Sequence, residues 1–86
     1  MITGRQVRAA RALLNWTQEM LAAKALVALT ALKRLESERA PPVHESTRDQ
    51  VRRALEAAGV RFINTPRGRG AMLLFNEPSA RPKRKR

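Results

Sequence analysis

Lys33 and Arg34 stand side by side near the end of a stretch from Trp16 to Glu36 that contains no glycine or proline. A planar guanidinium can donate two parallel hydrogen bonds to a guanine edge or a phosphate, and an ammonium is a compact charge for phosphate. The chain around them has 18 Lys plus Arg against 7 Asp plus Glu, a formal net charge of +11. Such an imbalance repels itself unless a polyanion neutralises it. Nucleic acid is the first polyanion to consider and an anionic membrane surface the second.

Other chemistry finds little footing. With no cysteine there is neither a disulfide nor a thiolate zinc site. The single histidine, His44, follows Pro41 and Pro42 in a loop and is expected to be solvated. No metal or cofactor is expected, and the absence of paired catalytic carboxylates and of a glycine-rich phosphate loop argues against an enzyme. No apolar run reaches the ~20 residues of a membrane span. The cationic residues are spread over all elements rather than along one amphipathic helix, which disfavours a membrane role. Arg5, Arg8 and Arg11 interrupt any signal-peptide pattern, so a cytoplasmic, nucleoid-associated protein is expected.

The elements that would carry these side chains are mainly helical. At 86 residues one small core is the prior, and an Ala/Leu-rich composition with two Phe, one Trp and no Tyr favours helices. Thr3 and Gln6 form a capping box, with Ile2 and Val7 as the staple around it. Val7, Ala10, Arg11 and Leu14 share one face, and Asn15 can end the helix in the left-handed conformation. Thr17 caps a second helix with Leu21, Ala22 and Ala25 inward. Residues 18 to 36 can be read as two helices or as one, because the local sequence barely asks for a break. Pro41 and Pro42 stop the chain. A further helix is capped by Ser46 or Thr47, carries Val51, Leu55 and Ala58 inward, and ends at Gly59. Val60–Ile63 and Ala71–Phe75 read as strands around a turn from Asn64 to Gly70.

The order of these features resembles the XRE family, the helix-turn-helix regulators related to phage Cro and phage repressors. The resembling residues are Thr3 to Arg11, Trp16 to Glu19, Leu21-Ala22, Val27, Leu32, Leu35-Glu36, and Arg53 to Ile63. The resemblance implies a compact DNA-binding domain, usually dimeric, that regulates transcription. It implies that Gln18 starts the second helix beside a DNA phosphate, where free N–H groups suit an anion. Ala28 corresponds to the cap of the recognition helix. Leu29, Thr30 and Arg34 correspond to positions facing base edges, with Lys33 beside them. Arg11 and Glu36 correspond to a structural salt bridge. The chain departs from the family pattern at Leu26, where glycine is usual in the turn, at Ala28, where Ser or Thr is usual, and at Met20, where Glu is common.

Pro66-Arg67-Gly68-Arg69-Gly70 reads first as a hairpin turn. It also resembles the core of an AT-hook, whose arginines enter a narrow minor groove, so Arg67 and Arg69 are DNA-contact candidates. The expectation is therefore a mainly α protein of three to four helices: a helix-turn-helix domain over 1–59, a hairpin over 60–75 as a possible dimerisation element, and a disordered basic tail over 76–86. It would act as a sequence-specific homodimeric regulator of double-stranded DNA, a repressor. The alternatives are an antitoxin-like module for a protein partner and a nonspecific nucleic-acid binder.

Overall fold

A computed structural model describes residues 2–37 and 42–75. The expected basic tail lies outside them. The chain order is α1 (Gly4–Leu14), α2 (Gln18–Ala25), α3 (Leu29–Glu36), α4 (Glu45–Ala57), β1 (Val60–Thr65) and β2 (Gly68–Leu73). The mainly α architecture with a C-terminal hairpin is as expected.

The α1 cap forms in full. The Gln6 backbone N–H donates to the Thr3 hydroxyl at 3.2 Å, and the Thr3 N–H donates to Gln6 Oε1 at 3.0 Å. The helix closes on Asn15 at φ 58, with the Trp16 N–H returning to the Arg11 carbonyl at 2.9 Å. This 6→1 bond satisfies a carbonyl that the helix end would otherwise orphan.

The stretch from 18 to 36 is two helices. Leu26 adopts φ 58, ψ 44 and ends α2, and the Val27 N–H bonds back to the Ala22 carbonyl at 3.1 Å. Burial explains the break. Leu21, Ala22 and Ala25 on α2, and Leu32 and Leu35 on α3, all enter one core with Val7, Ala10, Val51 and Leu55. A straight helix of that length would run about 28 Å and carry one end away from a core this small. Leu26 gains nothing from the turn it makes, being 83% exposed. Ala28 stands at the N-cap of α3 with no side-chain hydrogen bond.

Two local expectations are corrected. The helix α4 starts at Glu45 with His44 as its cap residue, so neither Ser46 nor Thr47 caps it. Glu45 supplies a carboxylate to the first turn, where the helix dipole favours one. Arg48 Nη1 ties that turn to the Ile2 carbonyl at 2.7 Å, and Asp49 is engaged by Arg52 and Arg53 instead of a capping role. The hairpin is also tighter than expected. Its strands pair from Val60↔Leu73 to Thr65↔Gly68, leaving only Pro66 and Arg67 in the turn, while Leu74 and Phe75 lie beyond β2. The Thr65 hydroxyl accepts from the Arg67 N–H at 3.2 Å and the Gly68 N–H at 3.1 Å, which lets pairing run to the tip.

The hairpin packs as part of the core. Val60 is buried, and Phe62, Ala71 and Leu73 pack on the helices from the same face. Gln6 locks it: its side-chain N–H₂ donates to the carbonyls of Ile63 at 3.1 Å and Gly70 at 3.0 Å, residues paired across the ribbon. One side chain thus caps α1 and clasps both strands.

The strained turn predicts an asymmetry. A left-handed residue with a side chain costs about 1–2 kcal/mol, and a missing cap about 1 kcal/mol. Leu26→Gly combined with Ala28→Ser is expected to raise the thermal midpoint by roughly 4–8 °C per kcal/mol recovered. A midpoint equal to or below that of wild type would show that the turn is not where stability is lost.

Candidate nucleic-acid interface

The site is built on a carboxylate in an unfavourable place. Glu36 ends α3, where the helix dipole disfavours negative charge, and it is 4% exposed. Arg11 answers it with two parallel bonds of 2.7 Å, Nε to Oε2 and Nη2 to Oε1. The remaining terminal nitrogen of Arg11 donates to the Trp16 carbonyl at 3.2 Å, and the Gln18 amide donates to Glu36 Oε1 at 3.1 Å. The hydrogen bond to Glu36 raises the Arg11 pKa above its ordinary value, so the guanidinium stays charged. The family-implied pair between Arg11 and Glu36 is therefore present, and it joins α1, the start of α2 and the end of α3.

Gly4 makes this junction close enough. A Cβ added there would lie 2.5 Å from the Leu35 carbonyl oxygen. Arg8, one turn on, donates through Nη1 to the Glu36 carbonyl. Neither Gly4, Arg8 nor the long-range bonds of Gln6 was anticipated from sequence. The only trace of Gly4 was a small residue at a helix start, and the partners of Arg8 and Gln6 lie 28 to 64 positions away.

With α3 held by its end, its outer face is open. Thr30, Lys33 and Arg34 are exposed, and neither Lys33 nor Arg34 makes an ion pair among the described residues. Leu29 differs: it is half-buried and packs on the core, so only part of it faces outward. Gln18 is half-buried and its amide is already engaged by Glu36. A shallow groove beside α3 is lined by Arg8, Arg11, Gln18, Lys33, Glu36 and Ser37. Trp16 borders it, with the Lys24 ammonium 5.1 Å from the ring centroid, a distance at which cation and ring attract.

Arg67 and Arg69 lie elsewhere, exposed at the hairpin tip, Arg67 in the turn and Arg69 in β2. Thr65 to Gly70 is thus a hairpin end rather than an isolated extended hook. On α4 the charge is balanced locally: Arg48 faces Glu45, Arg52 bridges Asp49 and Glu56, and Arg53 faces Asp49. The cationic excess of the described residues therefore lies on α1 to α3 and the hairpin. Among the described residues no His/Cys/Asp/Glu group could hold a metal ion, and no helix is long and apolar enough to cross a membrane.

Residues 7–45 match the family model for helix-turn-helix domains, a span that runs from within α1 to the first residue of α4. Over those residues, which include α2 and α3, the chain is similar to the DNA-binding helix-turn-helix domains of XRE-type regulators. No curated protein matches the chain.

Removing one partner of a buried pair strands the other, at about 3–5 kcal/mol. Glu36→Gln is expected to lower unfolding free energy by about 3 kcal/mol in urea titrations. The double substitution Arg11→Met, Glu36→Leu should recover most of that loss. If Glu36→Gln is as stable as wild type, the pair does not hold α3.

Proposed function

We propose that the protein is a sequence-specific transcriptional regulator of double-stranded DNA, acting as a homodimeric repressor in the cytoplasm. The exposed row of Thr30, Lys33 and Arg34 on a helix anchored by Arg11 and Glu36 carries this reading. The dimensions suit an α-helix in the major groove, with Arg34 bonding a guanine edge, Thr30 bonding a neighbouring base and Lys33 meeting a phosphate. Leu29 offers a thymine methyl its exposed part. Gln18 and the first N–H groups of α2 serve a phosphate, as does the backbone at Ala28. Occupancy of a promoter by such a domain excludes other proteins, which is repression without any further surface.

The hairpin supports the dimer. Its outer face presents Ile63 and Met72, continued by exposed Leu74 and Phe75, and the sheet has only two strands. Unpaired edges and a half-exposed apolar face favour pairing with a second copy. In this division of labour residues 1–59 read the bases, and the outer face of the hairpin within 60–75 pairs protomers.

Fluorescence anisotropy against short duplexes, at physiological salt with excess nonspecific competitor, tests the base readout. Wild type should retain one competitor-resistant duplex, and Arg34→Ala should lose roughly 10- to 100-fold of that preference, the worth of one bidentate base contact. Uniform, salt-sensitive binding by both proteins would mean a nonspecific binder. Sedimentation tests the dimer: Met72→Lys should shift the full chain to monomer with its fold intact, and an unchanged dimer would exclude the hairpin.

A further inference from the structure

A second cationic cleft opens between α1 and the hairpin tip. Arg5, Arg67 and Arg69 line it, with Gln6, Ala9 and Pro66 between them, and none of its described lining residues is acidic. The tip is held in place rather than hanging free. Gln6, 3% exposed, clasps Ile63 and Gly70 just behind it, and Thr65 fastens the turn that carries Arg67. Arg69 pairs with Asn64 on the same face of the ribbon as Phe62 and Ala71, which is the face turned to the helices. Neither Arg67 nor Arg69 makes an ion pair among the described residues.

The cleft is connected to the groove beside α3. Arg5 lines the first and Arg8 the second, and the two are three residues apart on α1, hence neighbours on one helix face. Cations therefore run from Arg67 and Arg69 past Arg5 and Arg8 to Lys33. Arg67 and Arg69 are like charges held close together on a rigid tip and repel, and a polyanion laid across them relieves that repulsion. The cleft at the tip has arginines and no aromatic ring among its described lining residues, which suits a phosphodiester backbone rather than stacked bases.

We propose that the hairpin tip is a second DNA contact, in which Arg67 and Arg69 grip backbone phosphates of the same duplex, flanking the bases that α3 reads. This rests on the DNA-binding reading above and extends it to a surface outside the helix-turn-helix. The contact positions the protein and adds affinity without sequence information. It differs from minor-groove insertion in that the two guanidiniums bond backbone phosphates rather than base edges on the groove floor.

The test is the salt dependence of binding for full-length wild type, Arg67→Gln/Arg69→Gln, Arg67→Lys/Arg69→Lys and Arg34→Ala, on one preferred and one unrelated duplex. Each lost phosphate contact lowers the slope of log K against log salt by about 0.9. The Gln variant should lose about 2 in slope equally on both duplexes, keep its preference between them, and melt as wild type does, while the Lys variant keeps the wild-type slope. An unchanged slope in the Gln variant overturns the proposal. So does a loss confined to A·T-rich flanks, which would signal minor-groove entry. Failure of the DNA-reading proposal looks different: wild type then shows no preference and Arg34→Ala changes nothing, while the slope on the unrelated duplex still reports on the tip.

Discussion

The structure depends on one buried carboxylate. Glu36 sits at the wrong end of a helix dipole and out of water, two conditions that each disfavour its charge. It is tolerable only because Arg11 and Gln18 surround it with donors. Those donors come from the last turn of α1 and the first residue of α2, so satisfying Glu36 fixes the relation of three helices at once. Gly4 is part of the same constraint, since any side chain there would push α1 away from the end of α3. The outer face of α3 is positioned for a ligand because its inner end is committed to a salt bridge.

Gln6 does for the hairpin what Glu36 does for α3. A two-stranded ribbon alone is marginal in water. Here it gains Val60, Phe62, Ala71 and Leu73 in the core and two hydrogen bonds from a buried amide. The helices and the ribbon are consequently one packing unit, and the cations at the ribbon tip have a defined place relative to those on α1. The charge distribution follows the same economy. The surface of α4 neutralises itself through i,i+3 and i,i+4 pairs, so the net positive charge of the described residues lies on α1 to α3 and the hairpin.

The turn between α2 and α3 shows where local and global preferences part. Leu26 in the left-handed region and Ala28 without a capping oxygen both favour a continuous helix over a break. The break persists because apolar side chains on both sides of it, Leu21 and Ala25 before and Leu32 and Leu35 after, are buried in the same small core. Burial of a few such side chains, at about 1.5–3 kcal/mol each for the leucines, outweighs a strain of about 1–2 kcal/mol.

Much was legible in the chain itself, because the signals are local. The capping box of Thr3 and Gln6, the left-handed Asn15, the cap at Thr17, the glycine after α4 and the alternation around the hairpin each rest on backbone chemistry within five residues. The family pattern added the roles of Arg11 and Glu36 across 25 positions. Local signals also misled: Ser46 and Thr47 are good caps by type, yet α4 begins earlier, where Glu45 and the Arg48 tie to Ile2 support its first turn. Only the tertiary structure decided whether residues 18 to 36 bend, how Gln6 spends its second set of hydrogen bonds, that Leu29 turns partly inward, and that Arg67 and Arg69 stand over α1. These depend on which residues far apart in the chain compete for the same core and the same donors, and that competition is settled by packing in three dimensions rather than by neighbours in sequence.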